Sequence, residues 1–225
     1  NQRHLKLLTQ IAGISATKIS KFLIEDRLRM KIARDLHDEM GSTLTSINII
    51  SKLAMEHAGG NELLLEQLQK IKDHSGQIMD AMSDIIWAIN PYNDNLEKLV
   101  LRMKEQAAEM MDPAGLQYEF LDEASMYPVL LNPEQRKEIF LIFKEAIHNA
   151  VKYSHGQKVK IVLRLQQREL YLNVMDDGTG FTLSEKTGGN GLRNMKSRAA
   201  QLNAVINICS YPGKGTTIEL RVPVT

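Results

Sequence analysis

Apolar residues in the first ninety positions recur at steps of three and four. The series Leu64, Leu68, Ile71, Ser75, Ile78, Met82, Ile85 and Ile89 alternates steps of four and three. That repeat predicts a helix from about Glu62 to Ile89 whose seam supercoils against partners. Before it, Ala33, Leu36, Met40, Leu44, Ile47, Ile50 and Ala54 predict one buried face on a helix from about Ser20 to His57. Ala58-Gly59-Gly60-Asn61 reads as the turn between the two. Asn90-Pro91 ends the second helix, because proline disfavours a helical residue before it. A single hairpin would leave much of each stripe wet, whereas two hairpins paired about a two-fold axis close a four-helix bundle. Upstream, Leu5, Leu8, Ile11, Ile19, Phe22 and Leu23 keep roughly helical spacing, weakened by Gly13 and several Ser and Thr residues.

From Leu96 the pattern changes. A helix is predicted over about 96–111, broken by Asp112-Pro113-Ala114-Gly115, and a strand over 116–121. Asn132 and Pro133 form a cap and first-turn pair for a helix reaching Tyr153. Two strands at 159–165 and 170–175 flank a polar turn, a helix covers 192–203, and strands at 205–209 and 216–222 close a hairpin. This order suggests helices covering one face of a mixed sheet. The expected organisation is residues 1–24 as lead-in helix or linker, 25–90 as the helical hairpin, 91–95 as linker, and 96–225 as an α/β domain.

Composition narrows the class. The chain has 225 residues, 43% hydrophobic and 24% charged, with formal net charge +1. Neither nucleic acid nor an anionic membrane finds a bulk electrostatic partner here. Aromatics at 5% argue against a base-stacking surface. The single Cys209 excludes an internal disulfide and a cysteine-rich zinc site, as fits a reducing compartment. No apolar run reaches the roughly 18 residues a membrane span needs. The opening on Asn1 is read as a piece of a longer protein.

Candidate chemistry sits at four places. His37 falls beside the apolar stripe of the first helix, with Asp38 about 100° further round, so both can face solvent. An exposed imidazole is a nucleophile near neutral pH, and an adjacent carboxylate can take its proton and hold its tautomer. Glu145, Asn149, Lys152 and Tyr153 share one face of the 133–153 helix. A carboxylate and an amide oxygen there can hold Mg²⁺, and the lysine can meet phosphate. Asp176-Asp177-Gly178-Thr179-Gly180 follows a strand, where Asp176 can accept a hydrogen bond from an exocyclic amine and the glycines admit a flat ring. Gly188-Gly189-Asn190-Gly191-Leu192 opens a helix whose free N–H groups suit phosphate, with residues 182–187 as a polar lid. Each motif alone also fits ordinary solvated helix faces and glycine turns. No P-loop or dinucleotide fingerprint is present.

In this order the motifs resemble a sensor histidine kinase of two-component signalling, in the nitrate-sensor-like class, with the R-D-L-H-D core at Arg34 to Asp38. Residues from about 97 onward resemble the ATP-binding domain shared with gyrase, the heat-shock chaperone and MutL. Its boxes match Glu145, Asn149, Lys152 and Tyr153; Asp176, Gly178 and Gly180; Gly189, Gly191 and Leu192; and Gly213, Gly215, Thr216 and Thr217. Ser83 to Pro91, with Trp87, resembles the cytosolic end of large membrane sensors from Bacteroides-like bacteria. The resemblance implies a two-helix hairpin dimerising into a four-helix bundle, followed by a Bergerat-type α/β sandwich. It implies ATP with Mg²⁺ held by Glu145 and Asn149, adenine read by Asp176, and attack by His37 on the γ-phosphate while Asp38 handles its proton. The partners implied are a second copy and a response regulator receiver domain. The location implied is the cytoplasmic side of an inner-membrane sensor, with membrane contact only through upstream segments. Many relatives carry glutamine five positions after the histidine, where this chain has Ser42. Competing readings are a nucleotide-gated binding module without kinase activity and a serine kinase of the anti-sigma type. The helix at Arg34 to Leu44 counts against the latter.

Overall fold

The computed structural model describes residues 2–182 and 190–224, and within these the side chains of all but 2–15, 17 and 18. The chain divides into two compact units, Asn1–Pro91 and Tyr92–Thr225.

The first unit is two helices, α1 (Gln2–Glu56) and α2 (Glu62–Ile89). α1 is one uninterrupted helix of 55 residues, where the sequence predicts a weak lead-in and then a helix from Ser20. A glycine inside a helix costs about 1 kcal/mol against alanine. Long helical stretches on both sides of Gly13 outweigh that. The turn after α1 uses Gly59 and Gly60 at positive φ, and Asn61 caps α2 by accepting the Leu64 N–H at 3.2 Å. At the other end of the hairpin, Arg29 Nε donates to the Ile89 carbonyl at 3.0 Å, closing the last turn of α2 with a cation.

The two helices bury only part of their apolar stripes on each other. Ala33, Leu44 and Ser51 of α1 are buried, as are Ser75, Met82 and Ala88 of α2. Leu64, Ile71, Ile78 and Ile85, spaced by seven, are exposed, and so are Met40, Ile47 and Ile50 of α1. The single buried face expected for α1 is therefore split. Alternate members of each seam look inward, and the others present a continuous wet row.

The second unit begins with a 3₁₀ turn at Pro91–Asn93, followed by α3 (Leu96–Met111), β1 (Gln117–Asp122), α4 (Pro133–Tyr153), β2 (Lys158–Gln166) and β3 (Glu169–Asp176). Then come α5 (Asn190–Gln201), β4 (Val205–Ser210) and β5 (Thr216–Pro223). The five strands form one mixed sheet in the order β1-β2-β3-β5-β4. β1 and β2 are parallel, and the other neighbours are antiparallel. Val159, Ile161 and Leu163, with Leu170, Leu172, Val174, Ile218, Leu220 and Val222, bury one face under the helices. The other face carries Lys160, Arg164, Asn173, Glu219 and Arg221, the alternation of a half-solvated sheet.

The start of this unit is stitched into its body. The Leu131 N–H donates to the Asp94 carbonyl at 2.8 Å and the Leu96 N–H to the Val129 carbonyl at 3.0 Å. Arg136 of α4 is fully buried and pairs with Asp94 Oδ1 at 2.6 Å. α4 has a full capping box, with Asn132 and Gln135 each serving the other's backbone N–H. No helix among the described residues is long and apolar enough to cross a membrane.

Candidate functional sites

The first site is a single turn of α1. The side chains of His37 and Asp38 are 75% and 67% exposed, and His37 Nδ1 lies 3.3 Å from Asp38 Oδ1. Residues one apart on a helix diverge by about 100°, so the pair meets because both side chains lean over open solvent. A hydrogen bond at Nδ1 leaves Nε2 as the nitrogen directed outward. One turn on, Ser42 Oγ donates to the Glu39 carbonyl at 3.2 Å and Thr43 Oγ1 to the same oxygen at 2.9 Å.

The second site is a cavity of about 140 Å³ between α4, the end of β3, the start of α5 and β5. Its walls include Asn149, Tyr153, Asp176, Gly180, Leu192 and Thr216, all singled out in the sequence. The N–H of Gly178 donates to Asp176 Oδ1 at 3.0 Å and that of Thr216 at 3.2 Å. Burial nevertheless wins and pushes the Asp176 carboxyl above its ordinary value. Its neighbour Asp177 goes the other way. The Lys158 and Gln157 N–H groups donate to Asp177 Oδ1 at 2.9 Å and 2.8 Å and hold that carboxyl below its ordinary value. Two adjacent aspartates thus divide the work: Asp177 ties β3 to the start of β2, and Asp176 faces the cavity with its charged form disfavoured by burial.

The glycines here serve backbone-to-backbone approach. A Cβ on Gly178 would strike the Ser154 carbonyl, one on Gly180 the Tyr211 carbonyl, and one on Gly215 the Asp176 carbonyl. Gly180 and Gly215 also hold positive φ, at 58° and 71°. They lock the β3 end against α4 and the β4–β5 turn, a different reason from the flat ring invoked for them.

On α4, Asn149 Nδ2 donates to Glu145 Oε1 at 3.1 Å, which turns the amide oxygen away from the carboxylate. Gly191 abuts that same carboxylate. Lys152 is exposed, its Nζ 5.2 Å from the Tyr153 ring centroid. It is not among the residues lining the cavity. Thr217 is set apart as well: it pairs with Met175 and Cys209 on the sheet face opposite Thr216 and Ile218. Successive strand residues point to opposite faces, so Thr216 and Thr217 cannot both reach the cavity. Gly189 and residues 183–187 of the expected lid lie outside the described residues.

Two serines were not singled out. The buried Ser154 carbonyl accepts the Thr179 N–H at 2.7 Å. Ser210 Oγ accepts the Phe181 N–H at 2.9 Å and contacts Thr216 Oγ1 at 3.0 Å. Between them they pin both sides of the 177–181 loop. A serine directly after a helix end was the only available sign of the first.

A helical hairpin that displays a histidine beside an acid, followed by an α/β sandwich with a cavity at the β3 end, is the organisation of a histidine kinase. Residues 29–94 match the histidine kinase family. Residues 134–225 match the family of histidine kinase-, DNA gyrase B- and HSP90-like ATPases. The chain is 28% identical over 204 residues to the sensor histidine kinase LiaS of Bacillus subtilis, covering 87% of this chain and 54% of that protein. It is 27% identical over 213 residues to the sensor protein VraS of Staphylococcus epidermidis, covering 94% of this chain and 59% of the relative. The chain thus spans little more than half the length of these relatives. In fold it is similar to the histidine kinase domain of the Erythrobacter litoralis EL346 blue-light activated histidine kinase, with TM-score 0.54 at 17% identity, covering 81% of this chain and 94% of that one. The chain belongs to the two-component sensor histidine kinases.

Proposed function

We propose that residues 25–90 form the dimerisation and phosphoacceptor domain and 96–225 the ATP-binding domain of a kinase that phosphorylates His37. The 3.3 Å contact between exposed His37 and Asp38 carries this reading. With Nδ1 engaged, Nε2 attacks the γ-phosphorus of ATP. A P–N bond forms as the bond to the β–γ bridging oxygen breaks, ADP leaves, and Asp38 takes or orients the imidazole proton. The phosphoryl group then passes to an aspartate of a response regulator receiver domain.

In the cavity, Asp176 accepts from the exocyclic amine of adenine, and Gly178 and Thr216 hold its carboxylate in place for that bond. Tyr153 and Leu192 give the base apolar walls. Lys152, Gly189 and Gly191 remain candidates for the phosphate side, and Gly215 and Thr217 for the surrounding scaffold. Glu145 offers a carboxylate and Asn149 an amide oxygen, the hard donors that Mg²⁺ takes directly or through waters of its own, so these two residues would hold it. Mg²⁺ there would neutralise phosphate charge. The wet apolar rows of α1 and α2 support a second copy closing the four-helix bundle. A place on the cytoplasmic side of an inner-membrane sensor fits ATP as the phosphoryl donor.

Incubation with labelled ATP tests this. Wild type should acquire acid-labile label and His37→Gln none. Acid-stable label would point to a serine kinase, and nucleotide binding without label to a binding module.

A further inference from the structure

The face of α4 that meets α5 reads Glu138, Ile142, Glu145 and Asn149, at steps of four, three and four. α5 runs along it in the opposite direction. Gly191 abuts the Glu145 carboxylate, with the Asn149 amide close by. Seven residues further along α5, Arg198 Nη1 donates at 2.5 Å to Oε2 of Glu138, which lies seven residues before Glu145. Lys137 Nζ stands 3.0 Å from the other Glu138 oxygen. The Glu138 side chain is 3% exposed and that of Arg198 32%. Two turns of one helix thus match two turns of the other, and a slip of one turn would break both contacts. The intervening Met195 and Ala199 are buried but apolar, and apolar packing is non-directional. Among the described contacts between α4 and α5, the charge pair is the one with a directional geometry.

We propose that Arg198 and Glu138 are positioning residues for nucleotide binding. Their pair sets the register of α5 on α4, and through it the place of Gly191 and Leu192 at the cavity. The proposal rests on the reading of that cavity as the nucleotide site. Arginine suits the place because its planar guanidinium aims one N–H at Oε2 while Lys137 takes Oε1, whereas a lysine ammonium is a point charge on a flexible stem.

The test compares wild type, Arg198→Gln, Arg198→Lys and Glu138→Gln by titration with Mg·ATP, autophosphorylation kinetics and thermal melts. A small displacement of the α5 terminus should weaken affinity about tenfold in Arg198→Gln, and raise KM with the rate at saturating ATP within about twofold of wild type. Arg198→Lys should recover part of the loss, to about threefold below wild type, and carries the test alone if the glutamine variant does not fold. Variants that melt earlier yet bind Mg·ATP as wild type does would make the pair purely structural and overturn the proposal. Arg198→Lys binding no better than Arg198→Gln would also overturn it. Wild type failing to bind Mg·ATP would overturn the nucleotide reading itself.

Discussion

His37 Nδ1 and Asp38 Oδ1 stand 3.3 Å apart on a turn of α1 where both side chains are exposed. No other acid is hydrogen-bonded to this imidazole among the described contacts. Asp38→Asn keeps the shape and loses the base. Loss of general-base help typically costs about 10²–10⁴ in rate. The variant should bind ATP as wild type does and acquire label that much more slowly. Near-normal labelling would reduce Asp38 to a surface charge.

Asp176 sets function against stability. Burial raises its carboxyl above the ordinary value. The folded chain therefore takes up this proton at a higher pH than the unfolded chain, and stability falls as pH rises through that window. At neutral pH the charged group is a standing cost. Asp176→Asn keeps an acceptor for Gly178 and Thr216, so it should melt at a higher temperature than wild type at neutral pH. The difference should fade toward the usual carboxylate value of about 3.9. Nucleotide affinity should fall by at least about tenfold, the cost of one misplaced buried hydrogen bond. Melts at two pH values and a nucleotide titration check both, and a variant less stable at neutral pH contradicts the assignment.

The wet row Leu64, Ile71, Ile78 and Ile85 predicts a dimer. Burying an isoleucine is worth about 1.5–3 kcal/mol, and a two-fold interface counts it twice. Ile78→Glu should weaken association by at least about a hundredfold while helix content holds. Sedimentation at micromolar concentration distinguishes the outcomes. A monomeric wild type removes the bundle.

Gly213 and Gly215 form a matched pair. Both hold positive φ, but an added Cβ meets nothing at Gly213 and the Asp176 carbonyl at Gly215. Gly213→Ala should cost about 1–2 kcal/mol, the ordinary left-handed penalty. Gly215→Ala should cost about 3 kcal/mol or more and abolish nucleotide binding, since Asp176 must move. Denaturant unfolding measures the difference, and equal costs would mean that the loop yields without strain.

Ser42 donates its hydroxyl proton to the Glu39 carbonyl, so it has none to aim at a water. A water misplaced by about 1 Å can cost about a hundredfold in rate. Wild type should therefore dephosphorylate its regulator weakly, and Ser42→Gln should shorten the lifetime of the phosphorylated regulator. An already short lifetime that the substitution leaves unchanged would contradict this.

Much of the helical frame could be read from the chain because it announces its own ends. Asn61, Asn95 and Asn132 cap their helices by side-chain bonds, and Pro91 and Pro133 fix where helices stop and start. The continuity of α1 through Gly13 was not legible, since local propensity there is weak and length decides. α5 ends at Gln201, two residues before the expected Asn203. In the second site, residues sharing one helix or one loop were found. Ser154 and Ser210 come from distant segments that only the sheet brings together. Thr217 was grouped with Thr216 by adjacency, although the two-residue period of a strand separates them.

The buried pair of Arg136 and Asp94, with the bonds from 94–96 to 129–131, makes the first residues of the second unit part of its body. Residues 91–93, directly before this stitched segment, form a 3₁₀ turn. In mechanical terms the entry to the second unit is a clamped end: a load applied there meets the Arg136–Asp94 pair and the two backbone bonds beside it before it reaches the sheet.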